Sequence, residues 1–277
     1  MEEGISKVFS QYKDVLTHLP EYSKNIFRKD YFKWLFGQMR SWNKTAWAIL
    51  AFNFAVQVIL MWQGWSTVPV SHSIIGFISA NLSVLCVVGI GQKAPIQGWA
   101  GATSAVFIAI NAFMAHNYAD MTLQICYFIF LDSFCILSPS WNEDVEVHSI
   151  GKFTNWIKYI VFFFVAWGIA YWVYGLVNDP RLFTDSLVLA ASLTGSMLEF
   201  NLAKEQFYMW LFTSVVTIAL WWQTAQMGDA NYALFASYLV FFFNDFYSMF
   251  RNDGWFRAKK TLSGFGDNQK VVKDKTK

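Results

Sequence analysis

Amide and carboxyl side chains stand inside several stretches of the chain that are otherwise apolar. Such groups are unfavourable in lipid, so they usually face the interior of a helix bundle or a cavity. There they can form hydrogen bonds with the hydroxyl, amide or charged groups of a polar solute. The candidates for solute binding among them are Asn81, Asn111, Gln124, Asp132, Glu199 and Asn244.

Several of these residues have a purely structural alternative. Asn81 and Asn111 would also serve as interhelical hydrogen-bond partners, an interaction worth about 0.6–2 kcal/mol in membranes. Asp132 lies deep in its apolar stretch, where a charge costs roughly 2.5–3.5 kcal/mol. It is therefore either a structural acid, protonated or bonded to an amide, or a group that lines the path of a solute. Asp245 lies close enough to the end of its stretch to reach water and is not selected.

Glu199 lies near the inner end of its stretch, close to Lys204. One interpretation places both residues at the membrane surface. The other is an inner gate, in which Glu199 pairs with a cytoplasmic lysine and closes the exit. The gate residues would then be Lys93, Glu199 and Lys204.

The stretch MWLFTSVVTIALWWQTAQ (209–226) carries three tryptophans. Trp210 near its beginning is typical of an interfacial anchor. Trp221 and Trp222 point about 100° apart on a helix, so only one of them can face a given groove and stack on a flat ring. The aromatic candidates for solute binding, with core packing as the alternative for the tyrosines, are Trp221, Trp222, Tyr127 and Tyr238.

The composition predicts a membrane protein. Of the 277 residues, 55% are hydrophobic and only 14% are charged, whereas soluble domains have about a quarter charged residues. Apolar runs of roughly 20 residues predict membrane-spanning helices rather than barrel strands. The cysteines and histidines show no metal-ligand or disulfide spacing. We expect no metal, no cofactor and no enzymatic activity.

Eight spans are predicted, preceded by an amphipathic surface segment (1–43) and followed by a polar tail (251–277). Both ends are rich in Lys and Arg, and of the 21 such residues only Arg181 falls on the opposite side. This bias places both termini in the cytoplasm, and it needs no nucleic-acid partner because anionic lipid attracts the same charges. The predicted spans are 44–63, 72–92, 98–117, 119–138, 154–177, 182–203, 207–227 and 230–250.

The spans suggest an internal repeat. A shift of 111 residues aligns Lys93 with Lys204 and Trp99 with Trp210. Two three-helix repeats of like orientation need one reversing helix between them, which predicts an all-α 3+1+3 arrangement plus one N-terminal helix. Transporters with parallel repeats bind their solute at the repeat interface, near the midplane. The predicted units are an extra helix (44–71), the first repeat (72–138), a linker (139–181) and the second repeat (182–250).

Three motifs carry a resemblance to a known family: KAPIQGW (93–99), MWLFTSVVTIALWWQ (209–223) and GDANYALFASYLVFF (228–242). In these motifs the chain resembles the PnuC family of nicotinamide riboside transporters, whose fold is related to that of the SWEET sugar transporters. The resemblance implies uptake by facilitated diffusion, trapping of the riboside by cytosolic phosphorylation and a homotrimer in the inner (plasma) membrane.

A cationic nicotinamide ring would suit stacking on an indole. The predicted arrangement sets the amide of Asn111 opposite the indole of Trp222, since these two are repeat partners. Other solutes remain open, namely thiamine, another vitamin or a sugar. An intramembrane enzyme or an assembly factor is the alternative of a different class.

Overall fold

The computed structural model describes residues 5–64, 69–142, 145–179, 181–227, 232–252 and 254–257, and these residues form helices and turns without a strand. Most of the predicted polar tail, residues 258–277, lies outside this described part. The helices are α1 (Ile5–Thr17), α2 (Leu19–Ile26), α3 (Tyr31–Gly37), α4 (Lys44–Gly64), α5 (Val70–Gly91), α6 (Ile96–Met114), α7 (Tyr118–Tyr127), α8 (Ser133–Leu137), α9 (Pro139–Asn142), α10 (Phe153–Leu176), α11 (Leu182–Phe200), α12 (Gln206–Gln226) and α13 (Ala233–Phe250).

The eight predicted spans coincide with eight long helical segments. A π-helical segment (Phe128–Asp132) joins α7 to α8 and makes one continuous segment of them. Six of the eight are long and apolar enough to cross a membrane: α4, α5, α6, the α7–α8 segment, α10 and α13. The other two, α11 and α12, are as long but carry many buried polar side chains, such as Ser192, Glu199 and Thr217. Burial inside the bundle lets these two helices be less apolar than a helix that faces lipid.

Six of these segments pack in a ring. In order of contact the ring runs α5, α6, α7, α11, α12 and α13, and α13 closes it against α5. The helix α4 packs outside the ring against α5 and α13, and α10 packs outside against α11. Accordingly α4 and α10 bury few residues and expose large apolar ones, for example Phe52 and Trp172.

Three described turns of the ring have the same conformation, and the turn from α6 to α7, with His116 at φ 52°, is one of them. The turn from α5 to α6 puts Lys93 at φ 58°, and the turn from α11 to α12 puts Leu202 at φ 56°. The residue that follows Lys93 and the residue that follows Leu202 make equivalent backbone hydrogen bonds. Ala94 N–H donates to the Gly89 carbonyl and Ala203 N–H donates to the Leu198 carbonyl, both at 2.9 Å. Leu202 stands 109 positions after Lys93, whereas the predicted repeat shift is 111.

One end of the bundle holds the described residues that follow α13. Trp255, which follows α13, is buried, donates its indole N–H to the Ile90 carbonyl at 2.9 Å and packs on Phe207. Arg251 donates to the Gly91 carbonyl at 2.9 Å. These contacts tie the end of α13 to the α5–α6 turn and to the beginning of α12.

The described part of the amphipathic N-terminal segment forms three short helices and a 3-10 turn. On α1, Val8 and Val15 are buried and Leu16 is exposed. Tyr12 stacks on Phe200 with ring centroids 4.5 Å apart, and its hydroxyl donates to the Phe130 carbonyl at 2.7 Å. Burial raises the pKa of Tyr12. The helix α1 thus docks against the same end of the bundle, at the π-helical segment.

Candidate functional site

A cavity lies inside the ring of six helices, and every helix of the ring contributes to its wall. It contains about 750 Å³ of space between the side chains, open space at its rim included. The residues that line it are Ser83, Cys86, Val87, Ile90, Gly101, Ser104, Ala105, Ile108, Leu123, Gln124, Tyr127, Leu131, Asp132, Glu199, Trp210, Thr213, Ser214, Thr217, Tyr238, Phe241 and Asp245.

The helices α6 and α12 present corresponding faces to this cavity. From α6 come Gly101, Ser104, Ala105 and Ile108, a spacing that puts all four on one side of a helix. Each of the four has a partner 109 positions later on α12, and these partners are Trp210, Thr213, Ser214 and Thr217. The shift given by the two turns therefore also relates the two walls of the cavity.

The two walls differ at the first position of each set, which is Gly101 on α6 and Trp210 on α12. At Gly101 an added Cβ would lie 2.8 Å from the Asp132 carboxyl carbon and 3.1 Å from Cys86 Sγ. The absence of a side chain at Gly101 thus lets the Asp132 carboxyl lie against α6. On the other wall the Trp210 indole packs on Gly195, where an added Cβ would lie 3.3 Å from the ring.

Three carboxyl groups line the cavity, and all three side chains are at least 97% buried. Asp132 comes from the π-helical segment, Glu199 from α11 and Asp245 from α13. Asp245 accepts a long hydrogen bond from the Ser214 hydroxyl at 3.5 Å. Neither oxygen of Glu199 has a hydrogen-bond partner among the described residues. The nearby Trp210 donates its indole N–H to Gln206 Oε1 instead, at 3.2 Å.

Aromatic rings lie beside these acids. The ring of Tyr127 meets the Trp210 indole edge to face, with centroids 6.1 Å apart. Tyr238 meets Phe241 in the same manner at 4.9 Å. The cavity therefore offers flat apolar surfaces together with hydroxyl and carboxyl groups.

The opposite end of the bundle holds a polar network that reaches the cavity. Gln124 donates to Asp120 Oδ1 at 3.2 Å. Arg181 pairs with Asp185 at 3.4 Å and donates to the Thr224 hydroxyl at 3.0 Å. Arg181, the one cation predicted on this side, thus joins the beginning of α11 to the end of α12.

Five of the predicted solute-binding residues line the cavity: Gln124, Tyr127, Asp132, Glu199 and Tyr238. Asn81 instead accepts from Asn53 at 3.2 Å and donates to the Phe77 carbonyl, between α4 and α5. Asn244 lies next to the cavity wall and donates to the Val87 carbonyl at 3.0 Å.

The predicted pair of Asn111 and Trp222 does not face across the cavity. Trp222 is 46% exposed on the outer surface, where it packs on Tyr232 and Phe235. Trp221 is fully buried beside Tyr238, but neither it nor Asn111 lines the cavity. The prediction paired Asn111 with Trp222 because it used a repeat shift of 111 residues. With a shift of 109 residues Asn111 corresponds to Leu220, which points about 200° away from Trp222 around the helix.

The two predicted gate lysines lie outside the cavity that Glu199 lines. Lys93 is buried in the α5–α6 turn. Lys204 follows the α11–α12 turn and holds its Nζ 5.3 Å above the Phe256 ring. The closing ion pair with Glu199 stays a prediction.

Several cavity residues were missed by sequence reasoning, chiefly Trp210, Ser214 and Asp245. The sequence pattern favours a membrane anchor for Trp210 and contact with water for Asp245. Their spacing from Glu199 carries no signal, because Glu199 is on α11, whereas Trp210 and Ser214 are on α12 and Asp245 is on α13. Among the described residues no group of three or more His, Cys, Asp or Glu side chains is placed to hold a metal ion.

Comparison with known proteins identifies the family. A crystal structure described as that of the vitamin B3 transporter PnuC is similar to this chain with a TM-score of 0.68 and 15% sequence identity, over 87% of this chain and 97% of the other. No curated protein matches. The family model described as nicotinamide mononucleotide transporter matches residues 73–257. This match confirms the predicted resemblance, and the chain belongs to the nicotinamide mononucleotide transporter (PnuC) family, whose members are membrane transporters rather than enzymes.

Proposed function

We propose that this protein mediates the uptake of nicotinamide riboside by facilitated diffusion, with the solute bound in the cavity between the two halves of the helix ring. The observation that carries the proposal is the wall of the cavity. Its described residues include three carboxyl groups and the flat rings of Trp210, Tyr127 and Tyr238, but no lysine or arginine.

These groups favour a flat cation. The pyridinium ring of the riboside carries a positive charge that carboxylates and an indole face both attract. Hydroxyl groups of the wall, such as Ser104 and Thr213, are available for the ribose. The family is named after the mononucleotide, but a phosphate group would find no counter-charge among the described lining residues and would meet three acids.

Thiamine is the second candidate, because its thiazolium ring is also a flat cation. A hexose accounts less well for the wall, since a neutral sugar leaves three buried acids without a counter-charge.

We further propose that the ring of helices consists of two three-helix repeats, α5–α7 and α11–α13, with α10 as the reversing linker and α4 added in front. The matched turns and the matched cavity faces at a shift of 109 residues support this SWEET-like 3+1+3 arrangement. The contacts of α4 and α10 outside the ring agree with it.

The orientation, the membrane and the assembly are part of the proposal. The charge bias supports cytoplasmic termini, and the resemblance implies the inner (plasma) membrane of the cell and a homotrimer. Chemical labelling of single cysteines introduced near Arg181 and near Arg251 tests the orientation. The mass of the protein in detergent tests the trimer.

Uptake of radiolabelled riboside into vesicles that contain only the purified protein tests the function. Without ATP and without imposed ion gradients, the riboside is expected to equilibrate across the membrane, and excess thiamine measures the competition. Trp210→Ala is expected to slow uptake, whereas Trp222→Ala, a matched change on the outer surface, should not. Failure of the wild-type protein to exceed empty vesicles would contradict the proposal.

A further inference from the structure

A groove opens on the outer surface of the bundle between α10 and α12, and it shares no lining residue with the cavity. The helix α10 packs along α11, and α12 meets it at Trp156, whose ring centroid lies 6.2 Å from that of Tyr208. The space left between the helices amounts to about 700 Å³, open space at its rim included. Its lining includes Trp156, Ile160, Phe163, Leu198, Met209 and Phe212.

The groove has the surface and the length of a site for a lipid chain. Leu198 of α11 forms a buried floor, whereas Ile160, Phe164 and Phe212 on the two sides are each more than a third exposed. From Trp156 to Phe164 the groove follows α10 for about 12 Å, since a helix rises 1.5 Å per residue. One leaflet contributes about 15 Å to the hydrocarbon core of a bilayer. The groove therefore matches the part of one acyl chain that lies nearest the headgroup.

Aromatic and basic side chains surround the end of the groove at which α10 begins. The ring of Tyr208 contacts Trp156 and also Phe256, the latter with centroids 5.7 Å apart. Lys204 holds its Nζ 5.3 Å from the centroid of the Phe256 ring. Lys152 directly precedes α10, four positions before Trp156. Aromatic rings such as these are enriched at the level of the lipid headgroups, so the two lysines stand where a phospholipid carries its phosphate.

The backbone fixes the segment before α10 against the α11–α12 turn. Lys204 N–H donates to the His148 carbonyl at 3.0 Å. Glu205, which also lines the groove, accepts from the Ser149 hydroxyl and from the Ile150 N–H, the latter at 3.1 Å. These donors occupy both oxygens of the buried carboxylate, whereas Lys152 and Lys204 form no ion pair among the described residues. The two ammonium groups are therefore available to an anion.

The charges select the headgroup rather than the chain. Lipid chains are as apolar as the groove, so an acyl chain gains only packing contacts there. Lys7 of α1 and Lys158 of α10 add positive charge at this end, against the exposed Glu146. Each basic residue near the membrane surface favours an anionic lipid over a neutral one by about fivefold.

We propose that the groove between α10 and α12 binds one anionic phospholipid of the leaflet at this end of the bundle. One acyl chain lies along α10, and the phosphate lies between Lys152 and Lys204. The lipid fills the gap that α10 leaves against α12 and so joins this outer helix to the ring. The inference does not depend on which solute the cavity binds.

Native mass spectrometry of the full-length protein, purified in a neutral detergent that removes its lipids, tests the site. Palmitoyl-oleoyl phosphatidylglycerol is compared with phosphatidylcholine that carries the same chains. One phosphatidylglycerol per chain is expected to bind about 25-fold more tightly than phosphatidylcholine, from two lysines at about fivefold each. Equal affinities of the two lipids for the wild-type protein would refute the proposal, even where a variant fails to fold.

Two pairs of variants locate the lipid. Lys152→Gln and Lys204→Gln should each lower the preference for phosphatidylglycerol by about fivefold, whereas Lys44→Gln, at an exposed position where α4 begins, should not. Ile160→Trp fills the groove and should abolish the bound lipid. Ile157→Trp makes the same change on the same helix, at a residue of similar exposure (43% against 45%) outside the lining, and should leave lipid binding unchanged.

Three other results would overturn the proposal. An equal loss of preference in Lys44→Gln would show a diffuse attraction of the basic surface rather than a site. Phosphatidylglycerol that still binds to Ile160→Trp as to the wild type would place the lipid outside the groove. Loss of an oligomer in Ile160→Trp, with lipid binding unchanged, would make the groove an interface between copies of the chain.

Discussion

The close approach of Asp132 to α6 depends on the missing side chain at Gly101. In Gly101→Ala the new Cβ would lie 2.8 Å from the Asp132 carboxyl carbon and 3.1 Å from Cys86 Sγ. Contacts under 3.0 Å are not tolerated, so the carboxyl must move or the two helices must separate. Overpacking of this kind costs about 1–3 kcal/mol, which exceeds the roughly 0.8 kcal/mol that burial of one more methyl group would contribute.

The matched control is Gly168→Ala. Gly168 also lies inside a long helix, α10, but an added Cβ there meets nothing within 4 Å. Thermal unfolding in detergent is expected to give a midpoint several degrees lower for Gly101→Ala than for Gly168→Ala, since about 1 kcal/mol corresponds to 2–4 °C in a protein of this size. Calorimetry should show weaker riboside binding in Gly101→Ala alone, because the displaced carboxyl enters the cavity.

A second change separates this explanation from a general effect of alanine on α6. In the double variant Gly101→Ala/Asp132→Ala the carboxyl group is gone, and its clash with the new Cβ is removed, so the two changes should not be additive. Unfolding midpoints and affinities that are equal for Gly101→Ala and Gly168→Ala would refute the packing that we describe at Gly101.

Three further outcomes are expected. Trp210→Ala should weaken riboside binding in a calorimetric titration by about tenfold, in line with the loss of one cation–π contact. Trp222→Ala changes an outward-facing residue and should bind the riboside as the wild type does. Equal losses of affinity in both variants would contradict the orientation of α12. Tyr12→Phe removes the hydrogen bond to the Phe130 carbonyl but keeps the stacking on Phe200. It should lower the stability by about 1 kcal/mol and speed proteolysis of α1. An unchanged cleavage rate would argue against the docking of α1 on the bundle. Burial and, to a smaller extent, the nearby Lys7 lower the pKa of His148. The unfolded chain therefore takes up the proton first, and stability should fall as the pH drops from the ordinary His pKa of about 6.5 towards the lowered pKa. Unfolding measured against pH should lose this slope in His148→Gln.

Much of the fold could be predicted from the sequence, because the length of an apolar run and the positions of its charged flanks set where a helix can cross a membrane. The predicted beginnings and ends of the long helices lie within about four residues of those in the structure. The repeat register could not be predicted in the same way. The shift of 111 aligns the lysines and tryptophans that look alike, whereas the two turn residues with matching φ angles, Lys93 and Leu202, are 109 positions apart and have unlike side chains.

The other differences between the predicted and the observed site arise from the rotation of each helix about its own axis. A helix that is apolar on all sides gives no periodic signal for the face that turns inward. The inward positions of Gln124, Asp132 and Glu199 could be predicted because lipid excludes such groups. The choice between Trp221 and Trp222, and between Trp210 as an anchor and as a cavity wall, depends on packing against other helices and was not accessible.

The most direct test of the central claim is a calorimetric comparison of nicotinamide riboside with nicotinamide mononucleotide on the purified wild-type protein. A cavity with three acids and no described cation in its wall should bind the riboside saturably, and it should bind the mononucleotide more than about a hundredfold more weakly, since like charges brought together cost several kcal/mol. Equal or tighter binding of the mononucleotide would contradict the account.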